Sequence, residues 1–208
     1  MLNIHPLLIN AEYLKKMLVL QEELNVKYNG EDWRDKVSVS KVKFAIFDEV
    51  SEFLREIEST WKWWKHDPTY NRQKALYELI DIIHFALLAM LHRYDVDGLI
   101  KRIEVDNYNW VSASQFGPFP TRAAQEEFFS DALVEFLSGV SNDDYWASVV
   151  EKFCNLVQAG GELIGINDPH EIYVAYVMKN QRNHERVDGG VMQGKYDKSK
   201  ESDIPSGK

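Results

Sequence analysis

The chain of 208 residues is 45% hydrophobic and 27% charged, with a net charge of −9. Such a length supports one sizeable core, and such a composition excludes the disordered and fibrous classes. Acidity argues against binding polymeric nucleic acid, whose phosphates select basic patches, although a small anion can still be held through an intervening cation.

The opening stretch "MLNIHPLLIN" lacks the basic region and small-residue cleavage site of a secretory signal. The longest apolar run, "FALLAML" at 85–91, is too short to cross a bilayer, so no membrane association is expected. A single cysteine, Cys154, rules out an internal disulfide framework and suits a reducing cytoplasm.

Strand signals are scarce, and apolar residues recur at spacings of three and four. This spacing predicts a first helix over 6–28, stopped by Asn29-Gly30. A second is predicted over 40–60, then an aromatic turn, "WKWWKHDPTYN", around Asp67-Pro68. A third covers 72–94, with a short helix after Asp97. "QFGPFP" marks a loop over 107–120, and further helices are expected over 121–137, 143–160 and 169–186. The predicted fold is an all-α antiparallel helical bundle over residues 1–187. The glycine-rich, polar stretch 188–208 is predicted to be a flexible tail that orders over bound ligand.

On the second helix Ile46, Phe47, Val50, Phe53, Leu54 and Ile57 share one apolar arc, at about 100° per residue. Glu49 and Glu52 flank that arc, with Glu56 on the same stripe. Carboxylates three apart have roughly 5–6 Å between their β-carbons and repel unless a cation lies between them. Taken alone, the pair fits the solvated edge of an amphipathic helix.

The third helix alters that balance. Its segment "LIDIIHFALLAML" is apolar around nearly the whole circumference, as in a buried bundle helix, yet contains Asp81 and His84. Glu78 lies three residues before Asp81. An ionised carboxylate in such surroundings costs on the order of several kcal/mol unless paired or metal-bound. E-x-x-E, a gap of 25 residues and E-x-x-D would bring four carboxylates together on facing helices. Oxygen donors of this kind suit Mg²⁺, with Mn²⁺ as a substitute, while zinc lacks its Cys/His cluster. A di-iron bundle wants Glu-x-x-His on two helices; only the related Asp81-x-x-His84 is present. His66-Asp67 matches the HD dipeptide of another phosphohydrolase class but precedes proline in a turn.

E-x-x-E followed by E-x-x-D on an all-α background resembles the all-α nucleoside triphosphate pyrophosphatases. Within them, "LVLQEELN" at 18–25, "TWKWWK" at 60–65, "ELIDIIHF" at 78–85 and "KNQRNHER" at 179–186 resemble the dimeric dUTPases. The stretches occur in that family's order and span nearly the whole chain. The resemblance implies that Glu49, Glu52, Glu78 and Asp81 bind Mg²⁺, and that Glu49 also orients or deprotonates the attacking water. It implies that Gln21 and Asn25 read the base edge, where an amide can both donate and accept. Trp61 would lie near the base, and His84 would pack beside the deoxyribose and exclude a 2′-hydroxyl. Lys62, Lys65, Lys179, Asn183, Arg186 and Lys198 are the implied phosphate contacts.

Without the resemblance the same residues have plainer readings. Gln21 and Asn25 fit an exposed helix face, the tryptophans core or interface positions, and His84 a satisfied core histidine. Lys179, Asn183 and Arg186 fit a solubilising stripe near a helix end. One departure stands out: Val191 and Met192 occupy positions where the family has tyrosine and lysine, which removes two phosphate contacts.

The implied activity is Mg²⁺-dependent hydrolysis of dUTP to dUMP and pyrophosphate by a cytoplasmic homodimer, with dUDP as a further substrate. Alternatives are a related enzyme acting on dCTP as well as dUTP, or a broader nucleoside triphosphate pyrophosphatase. A non-catalytic helical interaction protein is the alternative of another class, and retention of all four carboxylates argues against it.

Overall fold

The computed structural model describes residues 7–105, 121–142, 145–190 and 194. Among them the chain is all α, without strands. The helices are α1 (Ala11–Asn29), α2 (Trp33–Lys36), α3 (Val39–Glu56), α4 (Glu58–Trp61), α5 (Arg72–Arg93), α6 (Val96–Val105), α7 (Arg122–Gly139), α8 (Trp146–Leu163) and α9 (Pro169–Asp188). The expected loop over 107–120 lies outside the described residues, as do Val191, Met192 and Lys198 in the expected tail.

Local chemistry accounts for most of the helix starts. Asn10, Ser38, Asn71, Thr121 and Asp168 each accept a first-turn backbone N–H with the side chain. Pro169 follows the last of these caps, where its missing donor costs nothing. Gly30, at φ 86°, ends α1 in a conformation that side chains other than glycine's resist.

Three sequence expectations required correction. The helix predicted over 6–28 begins only at Ala11, capped by Asn10. The helix predicted over 40–60 breaks at Ile57 and restarts as α4. Bonds across the base of the following turn redirect the chain there, with Asn71 N–H donating to Glu56 O at 2.7 Å and Ser59 N–H to Thr69 O at 3.0 Å. Phe47, expected on the apolar arc, is 49% exposed, because the buried stripe runs through Val42, Ile46, Val50 and Phe53 instead. The four-residue helix α2 was not anticipated; it buries Trp33 completely.

α3 and α5 are antiparallel. Asn71 meets Glu56 at one end, and at the other His92 Nε2 lies 2.7 Å from Val37 O. α1 and α9, joined through all the intervening helices and under no obligation to reverse, run parallel. Their contacts advance together: Tyr13 with His170, Met17 with Tyr176, Leu20 with Asn180, Lys27 with Asp188.

At the centre lies α5, packed against α1, α3, α8 and α9. Its length and composition alone would let it span a bilayer, but 67% of its most apolar window is buried inside the protein, so it is the core helix. α8 presses closely on it: a Cβ at Gly160 would stand 2.6 Å from Leu79 Cδ1. That contact braces α5 one residue beyond Glu78.

Candidate active site

The antiparallel pairing of α3 and α5 brings their acidic residues together. Single ligand oxygens of Glu49, Glu52 and Glu78 lie within 4.8 Å of one another, each residue partly buried. Three oxygen donors at that separation, carrying negative charge, fit a hard divalent cation such as Mg²⁺ or Mn²⁺.

The electrostatics are those of a site needing a counter-charge. Burial first, then Asp81, Glu78 and Glu52, pushes the Glu49 carboxyl up from 4.5 to about 8. Burial and then Asp81 push Glu78 up to about 7. Asp81 is also raised, chiefly by burial, against the opposing pull of Lys179 and Arg186. Glu52 stays more open and pairs with Arg55 at 3.0 Å.

Asp81 does not join the three converging glutamates. Its Oδ2 lies 2.6 Å from Lys179 Nζ, and the two side chains are only 17% and 11% exposed. Lys179 is therefore no solubilising surface lysine. Farther along α9, Arg186 Nη1 donates to Asn183 Oδ1 at 3.0 Å. This basic stripe borders the acidic cluster through Lys179.

One turn beyond Asp81 on α5, His84 belongs to a buried polar cluster. Gln21 and Asn25 are each 4% exposed, so they do not form an exposed helix face. Gln21 Nε2 donates to Asn25 Oδ1 at 2.8 Å. His84 is buried beside them, with Nδ1 at 2.7 Å from Gln21 Oε1. Desolvation lowers the His84 pKa from 6.5 to about 3, so the ring is neutral. Asn25 Nδ2 and His84 Nε2 are buried without hydrogen-bond partners among the described residues. Unsatisfied polar atoms at such depth are costly unless a partner reaches them.

Tyr176 completes this cluster and was not anticipated from the sequence. Its ring stacks on His84 at 4.2 Å, and its hydroxyl lies 3.0 Å from Gln21 Oε1 and 3.2 Å from Met17 O. A tyrosine on an amphipathic helix, as Tyr173 and Tyr176 both are, carries no local sign of such a role.

The tryptophan–lysine segment is organised by Glu58, also missed by the sequence reading. Lys62 Nζ binds Glu58 Oε1 at 2.5 Å, Lys65 binds Oε2, and Thr69 N–H donates to Oε2 at 3.2 Å. The two lysine bonds hold the Glu58 carboxyl down at about 2. Glu58 and Lys62 stand one helical turn apart in opposite charge, a pairing visible in the sequence. The expected phosphate ligands Lys62 and Lys65 thus have carboxylate partners here. Trp61 donates its indole N–H to Leu54 O at 2.9 Å and meets Trp64 edge-on, while Trp63 and Trp64 are 90% and 60% exposed.

Among curated proteins, none matches the chain. A family model described as dUTPase (dUTPase_2) matches residues 13–190, a span holding all four carboxylates, the polar cluster and the basic stripe. The chain belongs to the all-α dUTPase family and is a nucleotide pyrophosphohydrolase.

Proposed function

We propose that the protein hydrolyses dUTP to dUMP and pyrophosphate with Mg²⁺ as its cofactor, Mn²⁺ being able to substitute. The observation that carries this reading is the convergence of Glu49, Glu52 and Glu78, together with the buried polar cluster of Gln21, Asn25 and His84. A divalent cation held by Glu49, Glu52, Glu78 and Asp81 would supply charge stabilisation to phosphate oxygens and make water a better nucleophile. Glu49, one of the three converging carboxylates, orients and deprotonates the attacking water in this scheme.

The remaining residues bind and orient. Asn25 and Gln21 face the base, and neutral His84 packs beside a deoxyribose where a 2′-hydroxyl has no room. Lys179, Asn183 and Arg186 neutralise the leaving phosphates. Lys62 and Lys65 join them by exchanging Glu58 for phosphate, with Trp61 beside the base and Lys198 on the tail.

The chain works as a cytoplasmic homodimer in this reading. Phe44, Phe47 and Val134 on α3 and α7 are 71%, 49% and 66% exposed, an apolar surface that pairing would cover. Sedimentation analysis showing only monomer would remove that part.

Turnover of dUTP, dCTP, dTTP and UTP with Mg²⁺ tests the whole. Preference for dUTP is expected; equal turnover of dCTP would favour the broader alternative, and no turnover of any would sink the assignment.

A further inference from the structure

Three of the four acidic residues converge, and the fourth faces a lysine. Oxygens of Glu49, Glu52 and Glu78 lie within 4.8 Å of one another, whereas Asp81 Oδ2 is 2.6 Å from Lys179 Nζ. With side chains 17% and 11% exposed, this pair is shielded from solvent. The lysine belongs to α9, the aspartate to α5, so the contact also ties two helices that converge on the site.

An ammonium in this position acts in two ways. It compensates charge in a cluster whose members otherwise repel. It also sets a positive charge on Asp81 Oδ2, so a cation approaching this carboxylate is repelled until the lysine moves away. Pulling either member of a buried pair away is costly unless it finds another partner. Water is a poor replacement at this depth, but a polyphosphate is a strong one, with several charged oxygens for one ammonium. Asn183 and Arg186 follow Lys179 along the same helix, where such a group would extend.

We propose that Lys179 is a positioning residue that withholds Asp81 from the cation until a nucleotide polyphosphate takes the ammonium, making cation and nucleotide binding cooperative. This rests on the reading of Glu49, Glu52, Glu78 and Asp81 as cation ligands. Cation entry alone engages the three converged glutamates. Arrival of the nucleotide transfers Lys179 from Asp81 to phosphate and releases the fourth carboxylate. Linkage requires the reciprocal effect, so a cation on Asp81 frees Lys179 for phosphate.

The test is Mn²⁺ binding in the absence of nucleotide, read by electron paramagnetic resonance and calorimetry on the full chain. Lys179→Gln should bind Mn²⁺ about tenfold more tightly than wild type, within the usual range of site-to-site coupling. Adding Asp81→Asn to that variant should abolish the gain. A gain that survives Asp81→Asn would mean simple removal of a nearby positive charge, and would overturn the proposal. So would an unchanged affinity in Lys179→Gln.

Asp81→Asn alone keeps the proposal testable even if the lysine variant folds poorly. It should leave nucleotide-free Mn²⁺ affinity nearly unchanged, and a large loss would overturn the idea. Glu49→Gln separates this inference from the underlying reading. If wild type binds Mn²⁺ and Glu49→Gln does not, while Lys179→Gln matches wild type, the cation site stands and the lysine role falls. If wild type binds no Mn²⁺ even with an imido analogue of dUTP, both fall.

Discussion

His84 Nδ1 lies 2.7 Å from Gln21 Oε1, a buried bond that joins the core helix α5 to α1. The hydroxyl of Tyr176, from α9, lies 3.0 Å from the same oxygen. Three helices distant in sequence thus meet at one amide. That amide takes up Asn25 Oδ1 and His84 Nδ1, which leaves Asn25 Nδ2 and His84 Nε2 without partners among the described residues.

Tyr176→Phe keeps the ring stacked on His84 and removes only the hydroxyl. A loss of about 1 kcal/mol is expected in urea unfolding, the usual net worth of one buried hydrogen bond. If Gln21, Asn25 and His84 bind the nucleotide without reacting, as proposed, KM should rise more than kcat falls. A variant with wild-type stability and KM would show that the hydroxyl does not hold Gln21.

Glu49→Gln should lower turnover by about 10²–10³-fold, the range for losing one preorganised electrostatic group at a reacting centre. Circular dichroism should remain that of the wild type, because neutralising a carboxylate raised by burial relieves the fold. Retention of turnover near the wild-type level would exclude Glu49 from the chemistry.

The pH dependence of stability has two opposing limbs. Glu49 and Glu78 rise in the fold to about 8 and about 7 from 4.5, so between those values the native state holds more protons than the unfolded one. Their contribution is full below 4.5 and is lost as pH rises through the folded values. His84 falls to about 3 from 6.5, so its neutral burial is lost as pH falls below 6.5 towards 3. In chelator, the melting temperature should therefore decline on either side of a maximum at mildly acidic pH. Mg²⁺ should flatten the alkaline decline, since a cation favours ionised ligands. Identical alkaline slopes with Mg²⁺ and with chelator would contradict a cation site at these carboxylates.

Glu58→Gln should loosen the turn over 62–71 by removing the shared acceptor of Lys62, Lys65 and Thr69. Faster proteolysis within 62–71 is the expected readout at neutral pH. In the wild type the same loosening should appear only in strong acid, as pH drops from 4.5 towards about 2, where this carboxylate finally protonates. Unchanged cleavage in Glu58→Gln would leave the tryptophan–lysine turn held by its backbone bonds alone.

Much of the fold was legible because helices advertise themselves locally. Caps such as Asn71 and Asp168, the break at Gly30 and the all-round apolarity of α5 are each set within a few residues. The two acidic pairs were legible for a related reason, since Glu78 and Asp81 in so apolar a helix have no cheap structural explanation. The break at Ile57 was hidden because its cause, the bonds from Thr69 and Asn71, comes from a dozen residues farther along.

The helical class, the central place of α5 and the four carboxylates on two segments each follow from composition and period along one stretch of chain. Convergence of three of those carboxylates, with Asp81 turned to Lys179, arises from packing between helices. Packing likewise decided that Glu58 holds Lys62 and Lys65, and that Tyr176 closes the cluster around Gln21 and His84. Apart from Glu49 with Glu52 and Glu58 with Lys62, these partners lie on different helices or across a turn. Which of them meet is a matter of helix rotation and packing, and no periodicity along the chain encodes it.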